Sequence, residues 1–262
     1  QVNHPREGAP LGYFDLVALD PSTGLVHNDN MSVAFNTIEV FNGKRLKAAA
    51  AVLRDYFRLL NQGYTFTATG SSDSHTTVTQ ERGYPRTYIG TGVDTPSLIE
   101  DAQLTEALVV GRNAVVTNGP FIRLKANDSA DIGQLVKAEG GQVSLDIQVS
   151  APRWVHVDRV EIVANGEVIR TLEATNPEGV VKLTTREVFA LPRDTWFVVV
   201  ARGSKGMDPV VPQYKGTTIT PLGFTNPIWI DVNGDDTFTP LFPPSTTPMD
   251  YIPTPLLRAN TP

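Results

Sequence analysis

"TIEVFNGKRLKAAAAVLRDYFRLLNQGYTFTATG", residues 37–70, is the stretch on which the fold reading turns. Leu46, Ala50, Leu53, Phe57 and Leu60 recur at three- and four-residue spacing and make one apolar stripe, while Lys47, Arg54, Asp55 and Arg58 fall largely on the other faces. The spacing predicts a helix over 44–61, opened by Asn42-Gly43 and closed by Gly63. "TIEVFN" before it and "YTFTATG" after it read as buried strands. Strand, helix, strand is the order of a parallel sheet with helices outside, and a second helix is predicted from Pro96 to about Val110, followed by the strand "NAVVTNG".

The next residues give that order a chemical point. Ser71 to His75, "SSDSH", follow directly after the second strand, and in parallel α/β folds ligands sit at the carboxyl ends of strands. Asp73 and His75 stand two apart, so in extended backbone their side chains point the same way. The competing reading makes Asp73 a turn cap and His75 a surface residue.

Composition narrows the function classes. The chain has 262 residues, a formal charge of −6 and no long basic run, which argues against nucleic acid as the main partner and favours a small-molecule ligand. Zero cysteines exclude disulfides, thiolate ligands and Cys nucleophiles together. Any metal site must therefore use His, Asp or Glu. No apolar run approaches a membrane span, and residues 1–30 lack a signal-peptide pattern, so a soluble protein is expected. The opening "QVNHPREG" reads as the interior of a longer sequence, which leaves the compartment open and allows an export signal upstream.

Texture divides the chain into 1–119, 120–235 and a Pro-rich extended tail, 236–262. In the middle part "QVSLDIQVS" alternates Val143, Leu145, Ile147 and Val149, and "VEIVANGEVIRTL" carries Asn165-Gly166 between two apolar runs, a strong hairpin signal. Short antiparallel strands at this spacing predict a small β-sandwich. At its end "DVNGDD" sets Asp231, Asn233 and Asp235 at alternate positions like the start of a calcium loop, although Gly is not at the sixth position and no Glu follows at the twelfth. A polar turn is the alternative.

Five segments occur in order: "NHPR" (3–6), "IEVFNG" (38–43), "TGSSDSH" (69–75), "GYPRTYI" (83–89) and "VVTNGPFI" (115–122). Together they resemble the polymerase and histidinol phosphatase (PHP) superfamily of metallohydrolases, in its carbaryl-hydrolase-like branch, over most of residues 1–235. The resemblance implies an α/β fold: the C-terminal part of a distorted (β/α) barrel, then the β-sandwich. It implies a site of two or three Zn, Mn or Fe ions, with His4, Asp73 and His75 as ligands brought within one metal-binding radius and Glu39 standing behind them. It places Arg86 and Asn118 at the site mouth, where Arg86 holds an anionic or carbonyl oxygen or else makes a structural ion pair. The implied chemistry is attack of metal-activated water on a phosphoester, carboxyl ester or carbamate. The pattern departs from the family in one respect: no H-x-H pair exists, and the remaining histidines, His27 and His156, match no family ligand. Further ligands are then expected from an upstream segment of the same gene product. The rival expectation is a non-catalytic ligand-binding or structural protein.

Overall fold

The computed structural model describes residues 1–8, 10–26, 31–78, 80–242 and 254–259. The strands are β1 (Thr37–Asn42), β2 (Thr67–Ser71), β3 (Arg86–Ile89), β4 (Ala114–Thr117), β5 (Phe121–Ala126), β6 (Ala130–Asp131), β7 (Gln134–Lys137) and β8 (Gln142–Ser150). They continue as β9 (Arg159–Ala164), β10 (Glu167–Glu173), β11 (Val181–Ala190), β12 (Thr195–Arg202), β13 (Leu222–Thr225), β14 (Ile228–Asp231) and β15 (Leu257–Arg258). The helices are α1 (Tyr13–Leu16), α2 (Leu46–Asn61) and α3 (Asp101–Val109), with a 3-10 turn at Pro96–Leu98.

The expected α/β class, a (β/α) PHP-type barrel part, is overturned. The fold is mostly β, 36% strand against 13% helix, and has no barrel of alternating strands and helices. The strand, helix, strand unit at 37–71 is present, with β1 and β2 parallel, but it is not repeated. The segment read as a second helix breaks at Ile99, whose backbone is extended, and α3 leads into β4, which pairs antiparallel with β3 and β13. One parallel unit does not propagate when the strands that follow find antiparallel partners.

Three layers result. A nine-stranded sheet forms the middle, in order β15-β7-β14-β12-β13-β4-β3, with β9 on the other flank of β12 and β10 beyond it. Strand β12, "TWFVVVAR", shows how it is packed on both sides: Trp196, Val198 and Val200 enter one core, and Phe197, Val199 and Ala201 the other. The period-two alternation of a strand thus feeds two cores at once. The first core lies against α2, β1 and β2. The second lies against a four-stranded sheet, order β11-β8-β5-β6.

Helix α2 docks as its stripe predicts, burying Val52, Leu53, Tyr56, Phe57 and Leu60. Asp55 departs from the solvent-facing reading. It is buried and accepts from Arg6 at 2.7 and 3.0 Å, so the Arg of "NHPR" staples the N-terminal segment to α2. At the end of α2, Asn61 accepts from the Trp196 indole (2.9 Å) and donates to the carbonyl of Asn165 (2.9 Å) in the predicted Asn165-Gly166 turn. Both turn residues have positive φ, which the Asn-Gly pair tolerates.

A two-stranded parallel sheet leaves open edges, and here both are closed. Val2 bonds along β1 through its own backbone. On the β2 side, Asn226 bonds both the N–H and the carbonyl of Ala68, and the Thr87 hydroxyl does the same for Gly70. Gly70 is required by this contact, because a Cβ there would lie 2.6 Å from Val116 Cγ1 of the central sheet.

The central sheet runs across the 119/120 texture boundary, since β3 and β4 precede it and β13, which pairs with β4, follows it. In the tail, Phe238 packs edge-on against Trp229 at 4.7 Å and β15 pairs with β7. No helix among the described residues is long and apolar enough to cross a membrane.

Candidate functional site

The carboxyl ends of β1 and β2 meet a cleft of about 360 Å³ whose walls include His4, Glu7, Glu39, Arg45, Tyr214 and Lys215. Glu39 is its buried pivot. One carboxylate oxygen accepts from Asn42 Nδ2 (3.1 Å) and Ser71 Oγ (2.5 Å), and the other from the His4 backbone N–H (3.0 Å). These partners fix the carboxylate and tie it to the N-terminal segment.

His4 has φ +50°, outside the usual region for a non-glycine residue. Its Nδ1 lies 3.1 Å from Glu7 Oε2 and 3.8 Å from Glu39 Oε2. Yet this nitrogen is buried and has no hydrogen-bond partner, so the short approach lies off the hydrogen-bonding line. Glu7 also pairs with Arg45. Arg45 in turn bonds the phenol of Tyr214, and that bond, partly opposed by burial and helped by the charge of Lys215, holds the phenol below its ordinary pKa.

Asp73 also has positive φ, +51°. His75 folds back on it: Nδ1 contacts the Asp73 carbonyl at 2.8 Å, and Nε2 lies 3.7 Å from the Asp73 carboxylate. The His75 ring is largely exposed. Ser74 bonds the carbonyl of Glu81, Glu81 pairs with Lys44, and Lys44 donates to the carbonyl of Pro212 (3.1 Å). The D-x-H loop, the start of α2 and the 212–215 loop are therefore tied at one end of the fold.

The structure thus pairs Asp73 with His75 and places His4 with Glu7 and Glu39. Among the described residues no three His, Asp or Glu side chains come together closely enough to hold an ion. Arg86 projects from β3 with its guanidinium 4.8 Å from the Tyr84 ring and 5.6 Å from that of Tyr88, and its buried Nε has no hydrogen-bond partner. Among the described residues it makes no ion pair. Asn118 is consumed structurally, donating to the Thr220 carbonyl (2.9 Å) and accepting from the Leu222 N–H (2.8 Å), which leaves little of its amide for a substrate.

The calcium-like segment is folded inward. Asp231 accepts from the backbone N–H groups of Gly234 (2.6 Å) and Asp236 (2.7 Å), and Asp235 accepts from Asn233 and Thr237. The Thr237 hydroxyl bond holds the Asp235 carboxyl below its ordinary range. Asp231, Asn233 and Asp235 form a polar turn closing β14, with oxygens spent on the loop itself. His156 pairs with Glu178 (2.9 Å), far along the chain from the cleft residues. His27 lies outside the described residues.

Sequence reasoning missed Glu7, Arg45, Tyr214 and Lys215. Glu7 and Arg45 sit beside quoted motifs and were within reach of a proximity argument. Tyr214 and Lys215 carry no local signal, because only the tertiary fold brings their loop to the cleft.

No family model and no curated protein matches the chain. Two solved structures show weak likeness. An engineered protein is 16% identical with a TM-score of 0.25, over 44% of this chain and 21% of its own length. A Niemann-Pick type C2 protein from the Japanese carpenter ant is 15% identical with a TM-score of 0.19, over 44% of this chain and 91% of that one.

Proposed function

We propose that the cleft at the ends of β1 and β2 is the site of a metal-dependent hydrolase acting on a small phosphoester, carboxyl ester or carbamate. The observation that carries the reading is His4 Nδ1: a buried ring nitrogen without a hydrogen-bond partner, beside two carboxylates. An unshared imidazole nitrogen beside carboxylate oxygens is the kind of donor that Zn, Mn or Fe takes, and the described residues alone bring no three such side chains together into a complete site. His4 would hold it with Asp73 and His75 only if that pair, which does not line the cleft in this structure, moved to join it. A divalent cation so held supplies Lewis acidity and nucleophilic water at neutral pH.

The chain's own residues do the rest. Glu39, fixed by Asn42 and Ser71, holds the His4 backbone in its left-handed conformation and so aims the ring. Arg45 and Lys215 set positive charge on the cleft wall, where an anionic or carbonyl oxygen is drawn in. Remaining ligands would come from a segment of the same gene product outside this sequence, and the present chain alone would bind metal weakly.

The test is metal content and hydrolysis of the three ester classes by the chain and by Asp73→Asn. Asn accepts positive φ and keeps the loop, so the fold should stand while metal content and rate fall at least about tenfold. Unchanged metal content would remove Asp73 from the site. A second reading, a non-catalytic ligand-binding protein, is favoured by the closure of His75 onto Asp73. It predicts no metal uptake under any loading condition.

A further inference from the structure

Strand β3 ends the central sheet, and its residues divide by face. Thr87 sits opposite Val116 of β4, which enters the first core, and its hydroxyl bonds Gly70 of β2. Tyr88 sits opposite Val115, which enters the second core, so Arg86 and Tyr88 point away from β2 and from the parallel unit that holds His4. On that side Trp154 meets the Tyr84 ring at 6.4 Å, and Phe121 meets the Tyr88 ring edge-on at 5.0 Å. Trp154 and Tyr88 are each 42% exposed, so aromatic surface reaches solvent on both sides of Arg86.

Arg86 is the unusual member of this strip. Its guanidinium lies 4.8 Å from the Tyr84 ring and 5.6 Å from that of Tyr88. Ring faces attract the charge, but they leave the N–H donors, which lie in the guanidinium plane, without acceptors. Among the described residues none of its nitrogens donates to a carboxylate, carbonyl or hydroxyl. Nε is buried and the two terminal nitrogens are not, so the donors left for an outside acceptor are the paired Nη groups at the tip. They form the planar fork that a carboxylate matches with two parallel bonds.

We propose that this strip binds a small aromatic carboxylate, its head on the terminal nitrogens of Arg86 and its flat ring system over Tyr84 toward Trp154. One guanidinium balances one negative charge, and the formal charge of −6 disfavours a polyanion such as nucleic acid. A neutral aromatic gains the ring contact without the head contact, and an aliphatic acid the reverse. The proposal does not depend on the hydrolase reading, since it shares no residue with the His4 cleft.

Titration of the whole chain with 2-naphthoate, followed by amide and indole N–H spectra, tests it against 2-naphthamide and cyclohexanecarboxylate. The naphthoate should bind at one equivalent and at least about tenfold tighter than the amide, because a hydrogen bond to a charged group is worth roughly that factor. It should bind about two- to tenfold tighter than the aliphatic acid, the contribution of one aromatic pair. The indole signal of Trp154 should shift while those of Trp196 and Trp229, both fully buried, stay in place. Arg86→Gln should lose about tenfold for the naphthoate and leave the naphthamide unchanged. The proposal is overturned by absent or unsaturable binding, by a naphthamide or an aliphatic acid that binds as tightly as the naphthoate, by an unmoved Trp154 signal in the wild-type chain, or by unchanged naphthoate affinity in Arg86→Gln.

Discussion

The parallel unit β1-α2-β2 and the antiparallel sandwich share a wall, the central sheet, but solve opposite problems. The sandwich buries long apolar strands such as β12 on two faces and keeps its buried polar side chains, among them Asn118, Lys182, Asn226 and Asp231, at the ends of its strands. The parallel unit buries polar groups as well: Glu39, Asn42, Asp55 and Thr69 are all nearly inaccessible. A buried polar group costs free energy unless it is hydrogen-bonded, and these form a network in which every charge has partners. In that network two buried atoms lack a hydrogen-bond partner, His4 Nδ1 and Asn42 Oδ1, and of the two His4 Nδ1 lies beside two carboxylates. The sandwich supplies apolar burial, and the parallel unit holds buried charge.

Trp196→Ala strikes the wall itself and should cost most, about 3–5 kcal/mol by chemical denaturation, since it opens a large cavity between α2 and the central sheet and strands Asn61. Both regions should unfold together in this variant, because they share the sheet. Two separate transitions would break the comparison by showing that each region owns its stability.

Asn226→Leu tests the join more finely. Asn226 serves Tyr56 of α2, Ala68 of β2 and Ala114 of β4. An apolar side chain of similar volume leaves several buried backbone groups unpaired, a loss of about 3 kcal/mol, and hydrogen exchange should quicken in β2 before it does in β8. Equal exchange in both strands would deny that the join is local.

Smaller effects come from the surface groups. Asp235 has its carboxyl pKa lowered in the fold, so its contribution is present above the unfolded aspartate value of ~3.9 and is lost as pH falls through the lower folded value. Asp235→Asn should remove that contribution at pH 7 and thereby flatten the acid limb of the stability curve within that window. Arg45→Met should raise the Tyr214 titration, read from tyrosinate absorbance, toward that of an ordinary phenol, because it removes the bond that lowers it. An unmoved titration would detach Tyr214 from the cleft.

What the sequence disclosed follows the same division. The stripe Leu46 to Leu60, the Asn165-Gly166 turn and the alternation in "QVSLDIQVS" are local periodicities, and each appears in the fold where it was read. The order of strands in a sheet is not local. A single strand, helix, strand unit looks the same whether or not others follow it, so extending it to a (β/α) barrel went beyond what residues 37–70 contain. "WFVVVA" likewise reads as one buried strand and does not say that its two faces serve different cores. At the site, Glu39, His4 and the Asp73/His75 pair were legible as residue types in motifs. Their arrangement was not: Asp55 looked solvent-facing until Arg6 was seen against it, and the Tyr214 loop reaches the cleft across most of the chain.

The central claim is that His4 Nδ1 is held open for a cation. Nitrogen-detected correlation spectra of the four imidazoles during zinc titration test it directly. The account predicts that the Nδ1 signal of His4 moves by the large shift of a coordinated nitrogen at zinc levels that leave His156 untouched, and that Glu39→Gln weakens the response. A titration in which His4 stays fixed while only the exposed His75 ring responds would contradict it.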